Sequence, residues 1–190
     1  MKSHFFAVIS RMKNIYRWGL MRNTKQESLS EHSFEVAVVA HALCVIGNTR
    51  LNKNYDQNFV AVAALYHDTS EIITGDMPTP VKYFNEEIKT TYKKIETLAE
   101  KSLTDMLPDD MKDTYSALYT PDSESKKIIK AADKISALIK CVQEINMGNK
   151  EFVKAEKSTR KSIKELKCEE ADIFLNEFMD SFSLTLDEQN

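Results

Sequence analysis

A chain of 190 residues has the length of one domain and buries enough surface to fold without disulfide bonds. Its 42% hydrophobic and 29% charged residues are ordinary, but 4 Gly and 4 Pro are few for a loop-rich sandwich or barrel and favour long helices. The net charge of −3 argues against a general nucleic-acid binder, which requires a basic face.

Apolar residues recur at steps of three and four along the first part of the chain, which predicts amphipathic helices. Two helix starts are marked by capping residues: Ser28-Leu29-Ser30-Glu31 has the form of a capping box, and Asp56 has the form of an N-cap. The three predicted helices run from Phe5 to near Arg17, from Ser28 to Gly47-Asn48, and from Asp56 to Ile73.

Gly and Pro divide the rest of the chain. The segment Gly75-Asp76-Met77-Pro78-Thr79-Pro80 is predicted to be a loop, because a Gly and two prolines disfavour a helix interior. A long helix from about Val81 to Leu107, a break at Pro108-Asp109 and a short segment to Pro121 follow. Further helices are predicted from Asp122 or Ser123 to Gly148-Asn149, over 152–166 and over 170–182. With no convincing strand pair, the pattern predicts an all-α helical bundle, a single domain over residues 1–190.

Three cysteines, Cys44, Cys141 and Cys168, are odd in number and show no C-x-x-C spacing, as is typical of a reduced intracellular protein. The apolar run from Phe5 to Ile9 is too short for a signal peptide, and the run from Val36 to Gly47 is too short for a membrane span, which needs about 20 residues. We therefore expect a cytoplasmic protein that binds neither membranes nor nucleic acid.

A stripe of aromatic residues, Phe174, Phe178 and Phe182, lies on the last predicted helix. Its helical spacing favours a place in the core, with a dimer face as the alternative.

The chain has only four histidines, and two of them accompany carboxylates on predicted helices. His32 falls in the first turn of the second helix, His67-Asp68 near the end of the third, and Asp133 among apolar neighbours of a later one. Each alone is more simply a core histidine or a surface ion pair, such as Asp133 with Lys130 or Lys134. A buried carboxylate is costly without a partner, however, and the three positions together indicate a metal site.

Two imidazoles and two carboxylates form a mixed nitrogen and oxygen donor set, which suits one divalent transition metal such as Mn, Co, Fe, Ni or Zn. Such an ion acidifies a bound water and polarises a phosphoryl oxygen. Glu71 is predicted one turn after His67 on the same helix face, where it can take a proton as a general base. Without the metal, a surface carboxylate is an equally good interpretation of Glu71.

The order His32, His67-Asp68, Asp133 resembles the H…HD…D pattern of the HD-domain metal-dependent phosphohydrolases, which are helical proteins. More narrowly, the chain resembles the bacterial HD-domain 5′-deoxynucleotidases over nearly its whole length, although Gly19 stands where that family usually has Pro. The matching segments are Arg17-Trp18-Gly19-Leu20-Met21-Arg22-Asn23, Ser30-Glu31-His32-Ser33, Tyr66-His67-Asp68-Thr69-Ser70-Glu71, 74–85, Lys130-Ala131-Ala132-Asp133 and 183–188.

This resemblance implies a homodimeric phosphomonoesterase that acts on deoxyribonucleoside 5′-monophosphates, tolerates several bases and rejects ribonucleotides. It implies a divalent metal, with cobalt favoured and manganese or another transition metal left open, and the residues themselves favour a single ion. The assigned residues are His32, His67, Asp68 and Asp133 for the metal, Glu71 and Asp76 for catalysis, and Arg17, Trp18, Asp76, Met77, Pro78 and Thr79 for the substrate.

The chemistry of these side chains agrees with the assignment. Arg17 can clamp a phosphate with two hydrogen bonds, and Trp18, the only Trp, can wall the sugar pocket against a 2′-hydroxyl. Asp76 can either accept a hydrogen bond from the sugar or donate a proton to the leaving 5′-oxygen. A surface Arg and a core Trp are the simpler alternatives for the first two.

Two other functions remain open. One is an HD hydrolase of a triphosphate, an alarmone or a cyclic nucleotide, which would need more cations than Arg17, Arg22, Lys25 and Lys82 provide. The other is a non-catalytic metal- or nucleotide-binding module, which would have no need for the carboxylate of Glu71.

Overall fold

Helices form nearly all the regular structure in the computed structural model, which describes residues 2–82 and 84–189. These described residues contain no strand, and one isolated antiparallel bridge joins Tyr16 to Ser28. Their α-helices are α1 (Phe5–Ile9), α2 (Leu29–Arg50), α3 (Gln57–Tyr66), α4 (Glu71–Thr74), α5 (Thr79–Lys82), α6 (Glu86–Thr104), α7 (Asp109–Tyr119), α8 (Ser123–Asn146), α9 (Val153–Glu165) and α10 (Glu169–Phe178). Short 3-10 helices lie at Ser10–Asn14, Lys150–Phe152, Met179–Ser183 and Leu186–Gln189. The prediction of an all-α fold is confirmed.

The predicted capping residues begin the helices as expected. The Ser28 amide donates to Glu31 Oε2 over 2.7 Å, and the Glu31 amide donates to Ser28 Oγ over 3.3 Å. Asp56 Oδ1 accepts from the Phe59 amide at 2.9 Å, and Asp122 Oδ1 accepts from two amides in the first turn of α8. These side chains satisfy amides that have no partner within the helix.

Two predictions around the proline-containing loop were wrong. Thr79 and Pro80 belong to α5, because a Pro in the first helical turn gives up no intrahelical hydrogen bond. The long helix predicted to follow is interrupted, and α6 begins only after Asn85, whose Oδ1 accepts from the Ile88 amide at 2.7 Å. The spacing of apolar residues alone does not show this break. The N-cap side chain of Asn85 determines where α6 begins.

Gly47 does not end the second helix, which continues to Arg50. A Cβ atom at this position would lie 2.5 Å from Tyr55 Cε2. The glycine is therefore required by the close approach of the Tyr55 ring, and the prediction of a helix stop was wrong.

Among the described residues, α2 is the helix that is long and apolar enough to cross a membrane by length and composition alone. Its most apolar window of 18 residues has a mean hydropathy of 1.4, and 56% of that window is buried. A buried core helix of a soluble protein has the same properties.

The chain divides into two compact units that interleave along the sequence. The first contains residues 2–22, 26–33, 66–82 and 84–121. Its core is built on buried Phe5, Leu103 and Leu107, against which the rings of Tyr66 and Tyr115 pack. Helices α4 and α5 lie against α6, which supports the segment that contains Glu71 and Asp76.

The second unit contains residues 23–25, 34–65 and 122–189 and is centred on α8, which packs against α9 and α10. Of the aromatic stripe, Phe174 is buried as predicted, whereas Phe178 is 41% exposed and Phe182 is half-buried. The single domain over residues 1–190 stays a prediction.

A buried ion pair on α8 holds the short segment 23–25 in the second unit. Glu144 is fully buried and accepts from Lys140 Nζ at 2.5 Å, from the Thr24 amide at 2.9 Å and from Asn149 Nδ2 at 2.8 Å. Burial raises the pKa of Glu144, but the hydrogen bonds from Lys140 and Thr24 outweigh it and lower the pKa to about 2.

Glu144→Gln is expected to lower the free energy of unfolding by about 3–5 kcal/mol, because it leaves a buried ammonium without its counter-charge. The stabilisation by Glu144 is complete above its ordinary pKa of 4.5 and is lost as the pH falls from there towards about 2. Urea unfolding followed by circular dichroism measures both effects. Glu177→Gln, which breaks an exposed pair with Arg50, is the matched control and should cost no more than about 1 kcal/mol. Equal losses in the two variants would contradict the prediction.

Candidate functional site

His32 lies in the first turn of α2, where the capping box of Ser28 and Glu31 fixes the helix start. Its amide donates to the Ser28 carbonyl over 3.1 Å, and its side chain is fully buried. His32 therefore lies in the first turn of the second helix, as predicted.

His67 and Asp68 lie in a tight turn, because α3 ends at Tyr66 and not at Ile73. The Thr69 amide donates to the Tyr66 carbonyl over 3.2 Å, and Thr69 Oγ1 donates to the same oxygen over 2.8 Å. The hydroxyl thus competes for a carbonyl that a continuing helix would use.

A new helix, α4, begins at Glu71, whose amide donates to the Asp68 carbonyl over 3.0 Å. The expectation that Glu71 follows His67 on one helix face was therefore wrong. The turn, and not helical periodicity, sets the separation of these two residues.

Three side chains of the first unit converge on one oxygen atom, Asp68 Oδ2. His67 Nε2 lies 3.1 Å from it, Arg17 Nη1 lies 3.3 Å from it, and His32 Nε2 lies 3.6 Å from it. One potential ligand atom from each of His32, His67 and Asp68 lies within 4.8 Å of the others. The structure therefore brings these three predicted metal ligands together.

The surroundings of Asp68 stabilise its ionised form. Burial raises the pKa of Asp68, but His67, His32 and Arg17 outweigh burial and hold the pKa well below its usual range. Asp68 is therefore a carboxylate near neutral pH, as a metal ligand must be.

Glu71 has the opposite electrostatic environment. It is buried, and burial together with the charges of Asp68 and Asp76 raises the pKa of Glu71 to about 9, although Arg17 and Lys82 act to lower it. Its Oε2 atom has no hydrogen-bond partner within residues 2–82 and 84–189. A carboxyl group of this kind holds a proton near neutral pH unless more positive charge is placed beside it.

Asp76 follows Gly75, which ends α4 with φ 73° and ψ 160°, a conformation that favours glycine. Burial raises the pKa of Asp76, while Arg17 and a hydrogen bond from the Trp18 backbone act against it. A hydrogen bond therefore links the Asp76 side chain to the segment that contains Trp18.

Arg17 and Trp18 follow a short backbone pairing. The Arg17 amide donates to the Glu27 carbonyl over 3.0 Å, next to the bridge between Tyr16 and Ser28. The Glu27 side chain also contacts both residues: its Oε2 accepts from Arg17 Nε at 3.2 Å and from Trp18 Nε1 at 2.9 Å. Glu27 was not predicted from the sequence, because this contact depends on a chain reversal that leaves no periodic signal.

The remaining predicted residues lie in two places. Met77 and Pro78 are half-buried before α5, and Thr79 is its exposed first residue. Asp133 is half-buried on α8 in the second unit.

The donor groups of the first unit suit a divalent cation. Two imidazole nitrogens and a carboxylate are ligands that transition metals accept, and Asp68, Glu71 and Asp76 concentrate acidic groups around them. Glu71 lies buried beside the negative charges of Asp68 and Asp76, and a cation at this site would offset that charge.

The chain is similar to known proteins over nearly its full length. The family model described as 5′-deoxynucleotidase YfbR-like matches residues 4–182. A 5′-deoxynucleotidase of Vibrio cholerae is 48% identical over 190 residues, which cover 98% of each chain.

Solved structures also match. A crystal structure of an HD-domain phosphohydrolase from Listeria innocua is 25% identical, with a TM-score of 0.82, and the match covers 94% of this chain and 88% of that one. A structure of an HD phosphohydrolase of cyanophage S-2L, bound to dA and one catalytic Zn²⁺ ion, is 19% identical with a TM-score of 0.69, covering 94% and 96%. The second likeness shows the fold alone.

Gly75→Ala is expected to lower the free energy of unfolding by about 1–3 kcal/mol, because a Cβ atom strains the φ and ψ that precede Asp76. Gly19→Ala is the matched control: Gly19 has a φ outside the left-handed region, and no atom lies within 4 Å of the position that a Cβ would take, so its change should stay within about 0.5 kcal/mol. Urea unfolding measures both. Equal free energies of unfolding for Gly75→Ala and Gly19→Ala would show that an alanine is tolerated at residue 75 without backbone strain.

Proposed function

The chain belongs to the 5′-deoxynucleotidase YfbR-like family, and from this membership we propose how its own residues carry out the reaction. The protein is a phosphoric monoester hydrolase that converts deoxyribonucleoside 5′-monophosphates and water into deoxyribonucleosides and phosphate. The observation that carries the proposal is the convergence of His32, His67 and Arg17 on Asp68 Oδ2.

The proposed cofactor is one divalent metal ion, held by His32, His67, Asp68 and Asp133. Three of these ligands are close together in the first unit, and Asp133 is proposed as the fourth from the family resemblance. Two imidazoles and two carboxylates form a donor set for one ion, so we propose one. We favour cobalt from the family resemblance, with manganese or another transition metal as alternatives.

A divalent ion held by these residues would supply a Lewis acid that polarises the phosphoryl group and lowers the pKa of the attacking water. Glu71 takes the proton of that water as a general base, a role for which its Oε2 atom is available. The water oxygen forms a bond to phosphorus, the bond from phosphorus to the 5′-oxygen breaks, and the 5′-oxygen leaves with a proton. Asp76 either donates that proton or accepts a hydrogen bond from the sugar.

Arg17 and Trp18 are proposed to bind the phosphate and the sugar of the nucleotide, respectively. The guanidinium of Arg17 pairs with phosphate oxygens, and the ring of Trp18 closes the sugar pocket where a ribonucleotide carries its 2′-hydroxyl. Met77, Pro78 and Thr79, which follow Asp76, complete the substrate contacts.

The protein is further proposed to be a cytoplasmic homodimer that binds neither nucleic acid nor membranes. The net charge of −3 supports the exclusion of nucleic acid, which requires a basic surface. The family membership leaves no reason to prefer a hydrolase of triphosphates, alarmones or cyclic nucleotides, or a non-catalytic module.

Deoxyribonucleoside monophosphates should be hydrolysed about 10²-fold faster than ribonucleoside monophosphates, the discrimination that a pocket reaches by rejecting one hydroxyl. Phosphate release from a panel of both, with Co²⁺, Mn²⁺ or Zn²⁺ added, measures this ratio. Chelation should abolish the activity and added Co²⁺ should restore it. Equal turnover of both sugars would refute the selectivity, and full activity in chelator would refute the metal.

Glu71→Ala should keep its metal but lose at least about 10²-fold in rate, the usual contribution of a general base. Elemental analysis of the purified variant measures the metal, and single-turnover phosphate release measures the rate. Asp133→Asn is the comparison, because removal of a ligand should lower the metal content as well. An undiminished rate in Glu71→Ala would remove Glu71 from the mechanism.

A further inference from the structure

Glu27 connects the two residues that the proposed function assigns to the phosphate and to the sugar of the substrate. A single carboxylate oxygen, Oε2, accepts from Arg17 Nε at 3.2 Å and from Trp18 Nε1 at 2.9 Å. The Glu27 side chain is 11% exposed and that of Arg17 is 13% exposed, so water competes weakly for these bonds. Charge-assisted hydrogen bonds of this kind are stronger and more directional than neutral ones.

The backbone holds Glu27 beside its two partners. The Arg17 amide donates to the Glu27 carbonyl over 3.0 Å, and the Leu29 amide donates to the Ile15 carbonyl over 2.8 Å. Glu27 therefore stands on a paired segment, and its carboxylate acts from a fixed position.

Trp18 needs such support because its backbone is strained. Its φ of 61° is left-handed, which costs about 1–3 kcal/mol for a bulky residue and persists only where the surroundings enforce it. The Trp18 carbonyl accepts from the Met21 amide at 2.9 Å, and its own amide donates to Asp76. The bond from the indole to Glu27 adds the contact that fixes the orientation of the ring.

The negative charge of Glu27 does not by itself help Arg17 to bind phosphate. A carboxylate beside the phosphate-binding Arg17 offsets the charge that attracts the phosphate, so it works against binding. The benefit that compensates for this cost is geometric: the guanidinium and the indole are held at a constant separation by one shared oxygen atom.

We propose that Glu27 is a positioning residue for sugar selectivity, fixing the distance between the phosphate clamp of Arg17 and the sugar wall of Trp18. Within a nucleotide the distance from the phosphate to the 2′-carbon is limited by covalent geometry. A ribonucleotide cannot slide away from the Trp18 ring without giving up the Arg17 contact while both are held by Glu27. The inference rests on the proposed substrate contacts of these two residues.

The contact itself is tested without substrate. Trp18 is the only Trp, so a ¹⁵N–¹H spectrum of the full-length protein shows one indole N–H signal. Glu27→Gln and Glu27→Asp should each shift this signal upfield and speed its exchange with water. Glu86→Gln, an exposed acid on α6 paired with Lys89, is the matched control and should leave the signal unchanged. An unchanged signal in both Glu27 variants would overturn the proposal.

Kinetics separate position from charge. Glu27→Asp keeps the charge but withdraws the carboxylate by one methylene, so it should lose selectivity as Glu27→Gln does. In both variants the ratio of kcat/KM for deoxyribonucleotide over ribonucleotide should fall about 10-fold, with unchanged metal content by elemental analysis. Glu86→Gln should keep the wild-type ratio.

The outcomes distinguish the two levels of inference. A selective wild type whose Glu27 variants are equally selective would overturn the role of Glu27 and leave the proposed function intact. A wild-type ratio retained by Glu27→Asp and lost by Glu27→Gln would assign the effect to charge and also overturn positioning. A wild type that hydrolyses both sugars equally would instead refute the proposed selectivity itself, and with it any role for Glu27 in it.

Discussion

The geometry of the site depends on one oxygen atom, Asp68 Oδ2, and on the three nitrogen-bearing side chains around it. Each partner is placed by a different local device: the capping box sets His32, the turn after α3 sets His67, and the backbone bridge sets Arg17. None of these devices involves a long apolar interface. They are hydrogen bonds whose donors and acceptors lie within a few residues or across one bridge, and they set the local position of each side chain.

Charge is distributed unevenly over the acidic groups that surround this oxygen. Asp68 is stabilised as an anion by its neighbours, whereas the pKa values of Glu71 and Asp76 are raised, Glu71 to about 9. Groups whose environments push their pKa values apart are suited to different tasks, one as a permanent ligand and the others as groups that exchange protons. A cation among them would lower the pKa of Glu71 towards the range in which a general base works.

The sequence predicted what depends on residue type and missed what depends on local competition. Capping residues and the H…HD…D order could be recognised because both are defined by residue type and order in the sequence. The structure brings His32, His67 and Asp68 together as predicted. The end of α3 was missed because the Thr69 hydroxyl takes a carbonyl that periodicity assigns to the helix. Gly47 was wrongly predicted to end a helix. It is needed because the ring of Tyr55 packs against this position and leaves no room for a Cβ atom, a contact that the sequence does not show. Glu27 was missed for the same reason, since its partners meet it only after the chain reverses.

The roles of Glu71 and Asp76, which the sequence left undivided, differ in their attachments. Asp76 accepts a hydrogen bond from the Trp18 amide, and the Trp18 indole N–H donates one to Glu27. These three residues therefore form one hydrogen-bonded chain beside the proposed sugar pocket. A carboxylate tied into that hydrogen-bonded chain is suited to orient the substrate, because moving it would disturb the strained Trp18 backbone. The Oε2 atom of Glu71 has no such bond within the described residues. These attachments favour the proposal that Glu71 accepts the proton from water and that Asp76 contacts the sugar or its 5′-oxygen.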